Sequence, residues 1–532
     1  MIVQLFESLL ITLFNFARRR SEATRTQPLP TVEIPPDHVV IGKVISPLSS
    51  SSDPTSSQLL EAGIVALAPE ARRRHLYLLG ATGTGKTNLL LQLIESDITH
   101  QRAFCVVDLR GDLVDRILLR LAKTAPPNTW RERLLLLDLR GEGQVVGFNP
   151  LLGEGDVYNR ALHVLSVLKQ QSDSWGVQLE ETLRNAIIAL AQSGWSLLEI
   201  EPLLGNPAFR AEVLKQVTDV HVRNFFTERF DRLSAANQLA WSLACLNKVT
   251  PLLAIPQLRL MFGQRESFSF RDVLDQQPGM IILISLAVDR LHEAARLVGG
   301  LFVSSFQSAI MSRADQPEGE RVPVQLYVDE FETMATERFE SIVAEGRRFG
   351  LGLCLSHQNI SQLSTGLRHV LRNNVHTQIY FQTGALDASE LAKEITGTSP
   401  EEDIRTTLMT QGVGEAYLVR RGQPGTRIRT LHCPDPKPDE SIVKAIREAS
   451  LDTYARPRAD VERELAEREE YVKSLNDKAP AKKKPMEIRH AKTVRFEPDE
   501  HQPHEHKPDP TIPKQPKTKD PKPKRVQPKD AE

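Results

Sequence analysis

An α/β fold with a mainly parallel sheet, an inserted all-helical subdomain and a disordered C-terminal tail is what this 532-residue sequence predicts. Three observations predict it. Short apolar runs recur, each ending in an acidic or glycine-bearing turn, as buried parallel strands do at the carboxyl edge where ligands collect. Between residues 153 and 265 those runs stop and helical periodicity takes over. Beyond Asp477 apolar residues almost vanish, so that stretch has nothing with which to bury a core.

The first segment, residues 1–20, opens on MIVQLFESLLITLFNFA. Gln4, Glu7, Ser8, Thr12 and Asn15 share one helical face, which leaves a wide apolar stripe before Arg18–Arg20. The run is short and interrupted for a membrane span, and it lacks the basic lead and small-residue cleavage site of a secretory signal. Two readings stand together here, an interfacial membrane anchor or a helix docked on its own domain or a neighbour, with a true span as the remaining one. In each, the arginine cluster argues that the body of the protein stays in the cytoplasm. Residues 21–58 are rich in Pro, Ser and Thr and read as a linker with one β-like island, His38–Ile45. Helical character is expected around Ser57–Leu67, and the Arg72–His75 cluster reads as a solvated lead-in to the next strand.

That strand, Leu76–Leu79, runs into Gly80-Ala81-Thr82-Gly83-Thr84-Gly85-Lys86-Thr87, the phosphate-binding P-loop pattern between a strand and a helix. Glycines let successive amide N–H groups turn inward on an anion, and the positive end of the following helix adds to that field. Lys86 is placed to reach the β- and γ-phosphates of ATP, and the Thr87 hydroxyl to hold Mg²⁺. Ala103–Asp108 and Arg133–Asp138 are further strands; Asp108 and Asp112 read as caps of the strand end rather than as ligands. In the helical region Trp175, Trp195 and Trp241 read as core residues.

The sheet resumes at Met280–Leu286, followed by a long helix over Leu291–Ser312. Val324–Val328 then delivers Asp329-Glu330 to its carboxyl end, the Walker B arrangement. Asp329 would orient Mg²⁺ and its water ligands, and Glu330 would polarise the attacking water. A helix is expected over Met334–Phe349 and a strand over Leu351–Leu355, which puts Gln358 beyond its tip as a γ-phosphate sensor. Thr377–Gln382, Gly412–Val419 and Thr426–Thr430 read as a strand and a closing hairpin, and Asp460–Leu475 as a charged helix. The division that results is 1–20, 21–58, a nucleotide-binding domain in two parts (59–152 and 266–435), the helical insertion 153–265, a charged helical segment 436–478 and the tail 479–532. The tail carries fourteen Lys or Arg against nine Asp or Glu, enough for weak contact with a polyanion.

Composition narrows the partners. A net charge of −1 gives no global attraction to nucleic acid, so any such binding must be local. Cys105, Cys245, Cys354 and Cys433 are far apart and have no metal-ligand spacing; they read as buried thiols in a reducing compartment.

Residues 72–435 resemble the conjugative coupling-protein ATPases of TraD/TraG type, within the HerA/FtsK group of P-loop DNA pumps. The resemblance is carried by Arg74-His75-Leu76 through Thr87, by Val106-Val107-Asp108-x-x-Gly111-Asp112, and by Gly147-Phe148-Asn149-Pro150. It continues through Asp329-Glu330-Phe331, Gly346-Arg347-Arg348-Phe349-Gly350-Leu351, and Gln358 followed by Gln362-Leu363. It implies a RecA-like P-loop NTPase fold and a homo-oligomeric ring, commonly a hexamer, with ATP between subunits and DNA at the channel. Arg347 matches the position that supplies an arginine finger to the neighbouring subunit, although from the residues alone Arg347 or Arg348 equally suits a surface cation at a helix end. A relaxase or secretion-channel proteins are the implied partners. Membrane-anchored members begin with two spanning helices, whereas this sequence has only its short N-terminal helix, so a soluble or peripherally attached member is expected. Two alternatives remain beside a DNA-translocating motor: a HerA-like DNA-end-processing translocase, and a secretion or pilus-assembly ATPase that handles no DNA.

Overall fold

The computed structural model describes residues 33–45 and 62–477 apart from 125–126, 142, 154, 171, 173, 277, 336–338, 396–399 and 438. The expected N-terminal amphipathic helix, the tail 479–532 and most of the linker lie outside the described residues.

Thirteen strands are formed among these residues: β1 (Val39–Val44), β2 (Ile64–Leu67), β3 (Leu76–Leu79), β4 (Ala103–Asp108), β5 (Leu134–Asp138), β6 (Gln144–Val146), β7 (Ile281–Ser285), β8 (Val324–Val328), β9 (Leu351–His357), β10 (Thr377–Tyr380), β11 (Glu415–Arg420), β12 (Thr426–Thr430) and β13 (Ala455–Pro457). Eleven of them make one sheet in the order β2-β1-β12-β11-β10-β3-β9-β8-β4-β7-β5. From β10 to β5 every neighbour is parallel, and the remaining strands form an antiparallel flank. The parallel half is buried on both faces, which is why its strands read as continuous apolar runs. Alternate residues serve opposite cores: Leu76, Leu78, Phe104 and Val106 face one, Tyr77, Leu79, Cys105 and Val107 the other.

The first of these cores takes in Leu89, Leu90 and Leu93 of the helix Lys86–Thr99 and Leu113, Ile117 and Leu121 of the helix Asp112–Thr124. On the other face, the helices between Val157 and Gly263 pack with the helix Glu293–Ser312. That helix is long and apolar enough to cross a membrane, but its most apolar window is 78% buried within the protein, so it is a core helix. Trp195 is buried, and Trp175 and Trp241 pack at the margin of the same core. All four cysteines are buried and free.

Several elements differ from expectation. Ile64–Leu67 is a strand, not a helix, because it pairs antiparallel with Val39–Lys43 across a bulge. The island at Val39–Val44 in turn pairs with β12, so this part of the 21–58 stretch belongs to the main sheet. The solvated lead-in is half wrong. Arg73 and Arg74 are exposed, but Arg72 is buried, its guanidinium forked on Asp97 at 2.7 and 2.6 Å and donating to Tyr327 Oη at 2.6 Å. A buried charge survives only when paired and hydrogen-bonded, and this one has both. His75 is also buried, with Nδ1 accepting Leu353 N at 3.0 Å.

The helix expected over Met334–Phe349 is confined to Phe339–Glu345, then tightens into a 3₁₀ turn, Gly346–Phe349, ended by Gly350 at φ +82°. The long helix starts at Glu293, after a short turn of helix, Val288–Leu291. The charged helix spans Arg458–Asp477, and a second, amphipathic helix precedes it at Glu440–Tyr454. Ile446 of the latter sits in the core, and Ser450 Oγ accepts Leu136 N at 2.8 Å, which satisfies a donor on the exposed flank of edge strand β5.

Candidate nucleotide site

Parallel strands deliver their C-terminal residues to one edge, and β3, β9, β8 and β4 are consecutive there. The P-loop leaves β3 as a tight turn. Gly80 N donates to His357 O at 3.3 Å and Ala81 N to Gln382 O at 2.8 Å, so the loop hangs from both neighbouring strand ends. A β-carbon on Gly80 would meet the Phe381 β-carbon at 2.6 Å, and Gly85 takes φ +119°, a region that side chains other than glycine seldom enter. Thr84 Oγ1 closes the turn on Ala81 O at 2.8 Å. Ala81, Thr82 and Gly83 are exposed at the rim of the loop.

Lys86 is buried, with Nζ donating to Gly80 O at 2.5 Å and Ala81 O at 3.0 Å. Burial pulls its pKa down, while Asp329, Glu332 and Glu330 oppose that pull and so lie within electrostatic reach. Thr87 Oγ1 is 3.5 Å from Asp329 Oδ2. Burial pushes the Asp329 carboxyl up. A half-buried carboxylate beside a hydroxyl is the donor pair that a hard divalent cation with retained water ligands requires. These residues therefore fit Mg²⁺ together with the phosphates held by the loop. Among the described residues no group of three His, Cys, Asp or Glu is placed to hold a metal by itself.

Glu330 follows in the left-handed region, at φ 51° and ψ 45°. For a residue other than glycine this costs on the order of 1 kcal/mol or more, and such strain persists where the surroundings impose it. Here Glu330 N donates to Asp329 Oδ1 at 3.1 Å, and Glu330 O accepts Thr333 N at 3.1 Å and Thr333 Oγ1 at 2.8 Å. Gln358 Nε2 donates to Glu330 Oε1 at 3.1 Å, and Gln358 Oε1 accepts Thr82 Oγ1 at 3.1 Å. One amide thus ties the P-loop to the Walker B carboxylate. The strand expected to end at Leu355 runs on to His357, which sets Gln358 just past its tip. His357 itself is fully buried, with Nε2 on Tyr77 Oη; burial drives its pKa down to about 3, so it is neutral.

The structure adds two residues to the site. Glu332 is half-buried, and desolvation pushes its carboxyl up to about 7, with the buried Oε2 lacking a hydrogen-bond partner. Arg110 Nη2 lies 3.6 Å from Glu330 Oε1. Neither was legible: Glu332 is the third acidic residue in a stretch whose motif uses the first two, and Arg110 belongs to the turn after β4. Asp108 caps that turn, accepting Arg110 N and Val114 N, each at 3.0 Å.

Arg347 is not part of this site. It sits exposed in the turn that precedes β9, at the amino edge of the sheet, near His75 and His376. β9 is seven residues long, so about 20 Å of strand separates Arg347 from the phosphate loop of its own chain. The turn is held by Arg321, which donates to Arg348 O and stacks 5.2 Å from the Phe349 ring.

Comparison with known proteins follows the same outline. Residues 59–120 and 213–423, about half of the chain, match the family described as the type IV secretion-system coupling protein DNA-binding domain. A search of curated proteins returned no match. Among solved structures, the bacterial conjugative coupling protein TrwBΔN70 in its unbound monoclinic form shares 16% identity at a TM-score of 0.50, over 78% of this chain and 97% of that one. The plasmid coupling protein TrwB in complex with ADP and Mg²⁺ gives 16% identity and a TM-score of 0.50, over 78% of this chain and 98% of that one. Its complex with the GTP analogue GDPNP also gives 16% and 0.50, over 76% and 98%. These likenesses are of fold. The family match goes further: this chain belongs to the type IV secretion-system coupling proteins.

Proposed function

We propose that the chain is an ATP-driven, DNA-translocating motor of conjugative transfer, assembled as a ring, in the hexameric form usual for such motors, with ATP at its subunit interfaces. The observation that carries this reading is the Thr82–Gln358–Glu330 chain beside Lys86, Thr87 and Asp329. It links the loop that grips a triphosphate to the carboxylate that would polarise water, as a site built for turnover requires and a passive binding scaffold does not. Membership of a DNA-binding coupling family supplies the polymer to be moved, and the nucleotide complexes of TrwB support ATP and Mg²⁺ as the ligands.

In this reading Lys86 would leave the Gly80 and Ala81 carbonyls for the β- and γ-phosphates, and Thr87 and Asp329 would hold Mg²⁺, whose charge would offset that of the phosphates. Glu330 orients and polarises the attacking water, and Gln358 senses the γ-phosphate. The rate of ATP hydrolysis by assembled protein should rise severalfold with single- or double-stranded DNA, read alongside native mass. A ring of verified mass whose turnover ignores both DNA forms would favour the secretion or pilus-assembly alternative.

The body of the protein is cytoplasmic in this reading. Residues 1–20 supply peripheral contact with the inner face of the membrane, and a relaxase or secretion-channel protein is the partner. Removing residues 1–20 should release the protein from membrane pellets while leaving ATPase activity intact; unchanged fractionation would favour the docked helix.

A further inference from the structure

Glu330 is approached from two strand ends at once. Gln358, past β9, donates to Oε1 at 3.1 Å, and Arg110, past β4, brings Nη2 to 3.6 Å from the same oxygen. Among the described residues none hydrogen-bonds Oε2. The carboxylate is therefore oriented through one oxygen, with the lone pairs of the other available.

Arg110 reaches this point because its backbone is fixed. Both Asp108 oxygens accept from the turn, at 3.0 Å each, and Gly111 takes φ +98°. A β-carbon on Gly111 would meet Ser285 Oγ at 2.6 Å and the Arg140 guanidinium at 3.0 Å, so the turn has little freedom to move. β4 pairs directly with β8, which makes the Arg110 turn and the Asp329-Glu330 turn neighbours along the carboxyl edge. An ion pair with a 65% exposed arginine adds little to stability. Its effect is on direction: a misplacement of about 1 Å of a reacting group can cost on the order of 10²-fold in rate.

We propose that Arg110 is a positioning residue for ATP hydrolysis, holding Glu330 by Oε1 so that Oε2 faces the attacking water. This rests on the reading of Glu330 as the water-polarising carboxylate, and the test separates the two. kcat and KM for ATP are measured on assembled protein for the wild type, Arg110→Ala, Arg110→Lys, Glu330→Gln and the Arg110→Ala/Glu330→Gln pair. Arg110→Ala should lower kcat by roughly 10-fold with KM unchanged. Arg110→Lys, which keeps the charge, should recover part of the loss, and adding Arg110→Ala to Glu330→Gln should cost nothing further. A raised KM at unchanged kcat would put Arg110 on the nucleotide instead. A loss that adds in full to that of Glu330→Gln would detach it from Glu330. Normal Arg110→Ala beside inactive Glu330→Gln sinks this proposal alone, whereas normal Glu330→Gln sinks the hydrolysis reading itself.

Discussion

Glu330→Gln protein should bind Mg·ATP as tightly as the wild type and hydrolyse it on the order of 10²–10⁴ times more slowly, the usual worth of a positioned general base. The substitution is nearly isosteric and leaves Lys86, Thr87 and Asp329 untouched, so the phosphate cradle keeps its donors. What it removes is the negative charge that would polarise water. The amide oxygen can still accept from Gln358, so the chain Thr82–Gln358–residue 330 stays closed, and a loss of rate cannot be blamed on a collapsed loop. Fluorescent-nucleotide titration gives affinity and single-turnover hydrolysis gives the chemical step. Retained affinity with lost turnover is the expected split. Weakened binding at normal turnover would place Glu330 in the phosphate cradle and leave the base unassigned.

The parts of this site that could be read from the chain are those in which chemistry is local in sequence. Gly80 to Thr87 form loop and helix start together, and Val324–Val328 carries its own carboxylates, so register alone places them. Gln358 was also legible, as a polar amide past the tip of the next strand. The residues that escaped are those whose meaning depends on distant partners. Ile64–Leu67 looks helical until Val39–Lys43 is laid beside it, and that island looks like linker until β12, nearly four hundred residues on, is found to pair with it. Such tertiary override is strongest in strands, whose preference is mostly a matter of neighbours. Arg72 reads as a surface cation because Asp97 and Tyr327 are far away in sequence. Arg110 reads as a turn residue because Glu330 is 220 positions later. Helix ends at Met334 and Leu291 were misjudged for the ordinary reason that terminal turns tighten or break locally.

Arg347→Ala should give the largest rate loss of any change outside the phosphate loop, about 10³–10⁵-fold if the residue acts as an arginine finger. Its position decides how that must happen. With about 20 Å of β9 between it and the P-loop of its own chain, and an arginine side chain spanning only a fraction of that, it has no path to its own nucleotide. It acts on a neighbour's or on none. In a ring whose head-to-tail interfaces set the amino edge of one subunit on the carboxyl edge of the next, Arg347 would face a partner's phosphates. The two possibilities separate by mixing. Arg347→Ala subunits keep an intact phosphate site and lack the finger; Lys86→Ala subunits keep the finger and lack the site. Neither should turn over alone, yet rings formed from both should regain measurable activity wherever a Lys86→Ala subunit faces an Arg347→Ala nucleotide. A finger working in cis restores nothing on mixing, and a surface cation at the end of a helical turn leaves Arg347→Ala active from the start. Rescue in mixed rings of verified composition is therefore the outcome that only the trans arrangement produces.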